Sequence, residues 1–278
     1  MYDAACLSDL ATLQRATGEL AVSVRRRGEV TALDGLRQAG CLKARFPRGA
    51  APGWIDVVTV NTSGGVAAGD QLDSTFLVQA GARASVAAQA AERFYRALPS
   101  SAPSRVRTRI TVESGAAIEW LPQETILFDR CALDRRLEVD LAPDAWFLGV
   151  ESLVFGRTAM GEAVERAALR DLIRVRRGGR LLLHDAVRLD GEVSSALQRK
   201  AIAAGARALA TLVHVAPDAE TKLEAVRAAL PDEAGASTWN GMLIVRILAA
   251  TGAALRTTLS ALLRVLRGDR PLPRVWMC

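Results

Sequence analysis

Arg105-Val106-Arg107-Thr108-Arg109-Ile110-Thr111-Val112-Glu113 alternates residue by residue. Val106, Thr108, Ile110 and Val112 fall on one side of an extended chain, and Arg105, Arg107, Arg109 and Glu113 fall on the other. A period of two is the signature of a strand with one face in a core and one in water. The pattern returns at Arg136–Leu141, where Leu137, Val139 and Leu141 point inward. Outward from these segments, Trp54–Val60 and Trp146–Phe155 are almost wholly apolar, as in strands covered on both faces. Leu172–Val175 and Leu181–Leu189 flank Arg177-Gly178-Gly179-Arg180, and the Gly-Gly pair supplies the positive φ angles of a tight hairpin. From about Leu20 to Leu189 the chain is therefore predicted to be mainly β, a sandwich or coiled sheet of many strands, antiparallel or helically wound.

Helix signals gather in the C-terminal third, at Ser194–Ala204, Glu220–Leu230 and Ala253–Arg267. In the last of these Leu255, Leu259, Leu262, Leu263 and Leu266 make one apolar stripe, and Gly268 is a natural C-cap. The stripe predicts core packing, with a partner-binding helix as the alternative. Leu98–Ser104 reads as an exposed loop. With no repeat and no change of composition along the chain, one domain over residues 1–278 is expected.

The chain has 278 residues, half of them hydrophobic and 24% charged, which excludes a disordered or fibrous polymer. Its formal charge is +6, but only Lys43, Lys200 and Lys222 are lysines, and the arginines are scattered along strands rather than gathered in one block. With 5% aromatic residues there is little to stack on bases, so no nucleic-acid partner is expected. The four cysteines, Cys6, Cys41, Cys131 and Cys278, form no Cys-x-x-Cys pair, which argues against a zinc knuckle or a disulfide framework. Asp3 and Asp9 stand where a signal peptide would be basic, and the longest apolar stretch, Ala201–Ala216, is broken by Arg207 and His214. A cytoplasmic protein without a membrane partner is expected.

Enzyme templates fail. His184 and Asp185 are neighbours on a strand and so face opposite ways, there is no Gly-x-Ser-x-Gly elbow, and His214 lies in the apolar run Leu212–Val215 as a core imidazole would. The Gly-rich segment Asn61–Asp70 has Asp70 where a phosphate loop needs lysine. It reads either as a tight turn or as a surface where Asp70 faces a cation or a basic partner. Glu151 interrupts the apolar strand Trp146–Phe155, and a buried carboxylate there needs a partner. Glu124 and Asp129 bracket Thr125–Phe128, and Glu162 follows Gly156–Gly161. These acids predict either salt bridges to arginines or a polar passage that a divalent cation visits in succession.

Four ordered blocks carry a resemblance. They are Asn61–Asp70, Ala90-Ala91-Glu92-Arg93-Phe94-Tyr95-Arg96, Leu121-Pro122-Gln123-Glu124-Thr125-Ile126-Leu127-Phe128, and Phe155-Gly156-Arg157-Thr158-Ala159-Met160-Gly161-Glu162. In order and spacing they resemble the urease accessory protein family UreD, also called UreH. The likeness covers about Leu20–Leu248 and the tail Pro271–Trp276, with departures at Ala68 and Ala88–Arg93. It implies a non-catalytic metallochaperone whose strands wind into a helical or sandwich-like body. Such a protein would bridge UreF and the GTPase UreG to the urease structural subunits and pass nickel, as transient cargo with no tightly bound cofactor, toward the urease active site. Asp70, Glu124, Glu151 and Glu162 are then the candidate nickel path. A pure scaffold in the urease activation complex, with no metal passing through it, is the alternative.

Overall fold

A computed structural model describes residues 14–49, 51–157, 160–268 and 270–277. Cys6, Cys278, Asp3, Asp9, Thr158 and Ala159, all singled out in the sequence, lie outside the described residues.

The chain winds between two sheets. The hairpin β1 (Thr17–Arg27) and β2 (Val30–Gly40) starts the first sheet, and β3 (Leu42–Arg45) and β4 (Ile55–Asn61) start the second. Successive strands then alternate. β5 (Gln71–Val78), β8 (Ser104–Val112), β11 (Ala132–Leu141) and β13 (Arg166–Arg177) join the first sheet. β6 (Arg83–Ala88), β9 (Ala117–Leu121) and β12 (Trp146–Phe155) join the second, while the short β7 (Glu92–Phe94) and β10 (Thr125–Leu127) pair beside it. Because each coil travels the same way, the pairs β1–β5, β5–β8, β8–β11 and β11–β13 are parallel, as are β4–β6, β6–β9 and β9–β12. The helical winding that the family resemblance implies is thus present, whereas the antiparallel pairing also expected is confined to the ends of both sheets, because each coil returns in the same direction. One end is the hairpin of β13 with β14 (Arg180–Glu192), turned at Gly178 and Gly179 with φ of 55° and 77°. The others are the β1–β2 hairpin, the β3–β4 pair and the run β12, β15 (Ala208–Val215), β17 (Met242–Ala249) and β16 (Ala234–Trp239).

Alternation puts Val22, Phe76, Ile110, Val139 and Val175 in one buried row across the first sheet, facing the second sheet to form the main core. A second core lies on the far side of the second sheet, under α2 (Leu223–Ala228) and α3 (Gly252–Arg267). β12 sits between the two cores, which is why nine of its ten residues are buried and its sequence is apolar throughout. By contrast β4 lies next to the short edge strand β3, and only Val57 in it is fully buried. The α3 stripe Leu255, Leu259, Leu262, Leu263 and Leu266 is spent on this second core, so the partner-helix alternative is set aside. Thr251 Oγ1 caps the helix by accepting from Ala254 N, and Gly268 ends it at φ 60°. The predicted helix Ser194–Ala204 is shorter than expected. α1 spans Val193–Gln198, has no side-chain cap, and gives way to turns that reach positive φ at Ala204 and Gly205.

Candidate functional site

Between the sheets lies a cavity of about 200 Å³. Its outer lining includes the exposed Gly64, with Asn61 and Glu92, and its inner lining includes Trp120, Thr125, Arg135 and the buried Glu151. Glu151 is 6% exposed and occupies an inward position of β12. Its Oε2 is 2.6 Å from Arg135 Nη1, and its Oε1 accepts from the Trp120 indole N–H at 2.8 Å. Arg135 also grips Asp171 in a two-pronged pair, Nε to Oδ1 at 2.8 Å and Nη2 to Oδ2 at 2.6 Å, and donates to Thr125 Oγ1 at 2.8 Å.

The backbone explains this convergence. Arg135 and Asp171 are register partners on adjacent parallel strands, each at an inward position among Leu133, Leu137, Leu169 and Ile173. Two carboxylates and one guanidinium leave one negative charge in excess when all are ionised. Burial pushes the Glu151 carboxyl above its ordinary value; Arg135 and Trp120 pull it back only in part, and Asp171 adds to the rise. For Arg135 burial works toward neutrality, but the two carboxylates overcome it and hold the guanidinium charged.

Glu92, at the outer part of the cavity, has its carboxyl raised by burial as well, while its Oε2 accepts from Asn61 Nδ2 at 3.1 Å. The turn beside it is held by close approach. Gly65 has φ 139°, a Cβ there would meet the Tyr95 ring at 2.4 Å, and the Tyr95 hydroxyl donates to Gly64 O at 2.7 Å.

The other acids singled out in the sequence stand elsewhere. Asp70 is buried and accepts from Ala16 N and Ala67 N, each at 2.8 Å, so its carboxylate fixes the Gly-rich turn in the manner of the tight-turn reading. Glu124 is half-buried with Oε2 3.8 Å from Arg256 Nη1, and it follows Pro122 and Gln123 of the cavity lining. Glu162 takes Arg157 Nε at 2.8 Å. Burial works to raise its carboxyl, but the Arg157 side chain and the N–H groups of Arg157 and Asp129 hold it below the usual range. Only Glu151 of the four lines the cavity, and among the described residues no three His, Cys, Asp or Glu side chains converge on one point as a ready metal site.

The two histidines fit their strand positions. His184 is exposed while Asp185, facing the other way, pairs with Arg246. The buried His214 ring has Nδ1 3.1 Å from Phe147 O, and burial holds it below its ordinary pKa. Cys41 and Cys131 are free thiols, and burial raises Cys131 to about 12.

A second buried ion cluster, not anticipated from the sequence, ties the C-terminus down. Glu119, fully buried on β9, accepts from Arg267 Nε at 2.8 Å and Nη2 at 2.9 Å, and from Arg270 Nη2 at 2.8 Å. Beyond it Gln123, itself part of the cavity wall, donates to Val275 O at 2.6 Å, and the Trp276 indole donates to Leu121 O at 3.0 Å. The tail Pro271–Trp276 thus braces the segment that walls the cavity.

A family model described as UreD urease accessory protein matches residues 16–277. The chain is a member of the UreD family. A UreD 2 of Methylorubrum populi is 48% identical over 274 residues, covering 95% of this chain and 91% of that protein. UreD of Xanthobacter autotrophicus is 47% identical over 266 residues (95% and 90%), and UreD of Agrobacterium fabrum 40% over 263 residues (95% and 92%). UreD proteins are non-catalytic accessory proteins of urease maturation. In this UreD-family chain no helix among the described residues is long and apolar enough to cross a membrane.

Proposed function

We propose that this chain joins the UreF–UreG GTPase complex to apo-urease and that nickel in transit enters the cavity between its sheets and meets Glu151. The observation that carries the reading is a cavity whose lining runs from an exposed glycine turn to a buried carboxylate. The lining is rich in hydroxyl, amide and carboxylate oxygens, including Thr59, Asn61, Glu92, Gln123 and Thr125, and it contains no Cys or His. Oxygen donors hold nickel more loosely than thiolate or imidazole, which suits a relay that must release its cargo. Arg135 can rest on Asp171 alone, through two hydrogen bonds, while a cation takes its place beside Glu151. Asp70, Glu124 and Glu162 enter this reading as supports of the mouth turn, the Pro122–Thr125 wall and the Arg157 loop.

The scaffold reading, with no metal passing, has its own support: all four carboxylates have protein partners in the resting chain. Glu151→Gln separates the two. It keeps the volume of the side chain and one of its two acceptor oxygens and removes the charge. The conduit reading expects the complex to assemble and the nickel content of urease to fall. Undiminished nickel in an assembled complex would leave the scaffold.

A further inference from the structure

The outward face of the β8–β11–β13–β14 half of the first sheet carries charge that the chain does not neutralise. Register sets Arg107 directly opposite Arg136, and Arg170 directly opposite Arg188. Like charges placed opposite each other across a sheet are destabilising. Asp134 lies among them and takes Arg107 at 2.6 Å and Arg136 at 3.5 Å. Arg170 and Arg188 are exposed and form no ion pair among the described residues. Beside them lies a recess of about 160 Å³ whose charged lining is Arg170 and Arg188 on one hand and Asp134 and Asp190 on the other, with Asp134 already taken up by Arg107 and Arg136. At the opposite end of the same sheet Arg37 pairs with Glu19 at 2.9 Å, Arg25 with Asp34 at 3.1 Å and Arg26 with Glu29 at 3.3 Å.

We propose that this arginine-rich face is a docking surface for an acidic segment of a partner protein. Guanidinium forks on neighbouring strands suit carboxylates spaced along such a segment, each taken by one or two N–H groups. A continuous phosphate backbone fits less well. Asp134, Glu138, Asp140 and Asp190 stand between the arginines, where an unbroken row of phosphates would meet them and single carboxylates can pass between them, and no outward position of these strands carries Phe, Tyr or Trp. The face lies on the outer side of the first sheet, away from the cavity, and the inference does not depend on nickel passage.

The test titrates the full-length chain with a labelled oligoglutamate peptide and with a DNA duplex of equal charge, at low and at physiological ionic strength. Two variants remove the same charge from the two ends of the sheet, R170Q/R188Q and R25Q/R37Q. The expected result is binding of the peptide in preference to the duplex, weakened about ten-fold or more in R170Q/R188Q and little changed in R25Q/R37Q. R170Q/R188Q should also melt no lower than the parent, because it relieves a like-charge pair. The proposal is overturned by equal weakening in both variants, which would mark a net-charge effect, or by preference for the duplex. Absence of peptide binding, a fall in the melting temperature of R170Q/R188Q, or loss of self-association in its place would overturn it too.

Discussion

Glu151 was readable from the sequence because a lone carboxylate inside an apolar strand demands a partner, and the partner is Arg135 at 2.6 Å. Arg135 and Asp171 were harder to see. Each breaks the buried side of an alternating strand, and only the pairing of β11 with β13 makes them neighbours across 36 residues of sequence. The period-two rule flags both once their strands are traced back to Leu133 and Leu169, but it does not say which strands will adjoin. Removing the guanidinium with Arg135→Met leaves two buried carboxylates facing each other, and the expected loss is about 3–5 kcal/mol, read from urea denaturation. At Glu92 the sign is opposite. Its folded pKa lies above the ordinary 4.5, so its favourable contribution is complete below 4.5 and is lost as pH rises through the folded value. Glu92→Gln should therefore melt higher than the parent at neutral pH, with the difference vanishing as pH falls to about 4.5, as scanning calorimetry would show.

At the scale of elements, periodicity served best where one face is wet. The β8 and β11 alternations appear in the structure as predicted, and the Gly178–Gly179 turn closes the predicted hairpin. The α3 stripe was legible as an apolar face but not as to what covers it, because the second core is built from β12, β15 and β17, whose runs are apolar on both sides. Leu262 is fully buried there, and Leu262→Ala should cost about 2–5 kcal/mol in the same denaturation experiment. The helix predicted over Ser194–Ala204 ends at Gln198, because a short stretch with no side-chain cap does not hold further turns. The brace formed by Glu119, Arg267 and Arg270 left no sequence signal at all, since it joins a strand to a helix end and the tail that follows it, about 150 positions away.

For the whole molecule, the alternation of strands between two sheets explains how a cavity can survive in a close-packed protein. Neighbouring coils contribute inward polar residues close together, Ser74 opposite Thr108 and, two residues along, Arg135 from one sheet and Glu151 from the other, so that polar side chains gather beside the apolar rows. Strand content and absence of an enzyme template were visible in the sequence; mostly parallel winding was not, because it depends on the direction in which each coil returns. The central claim is that this chain serves urease maturation and that the cavity takes part in it. The most direct measurement is urease activity and nickel content, at equal urease protein, in cells expressing urease, UreF and UreG with the parent chain, without it, or with Glu151→Gln. The account predicts that both quantities collapse without the chain, and that Glu151→Gln assembles the complex yet delivers less nickel. Full activity and full nickel content in the absence of the chain would contradict it.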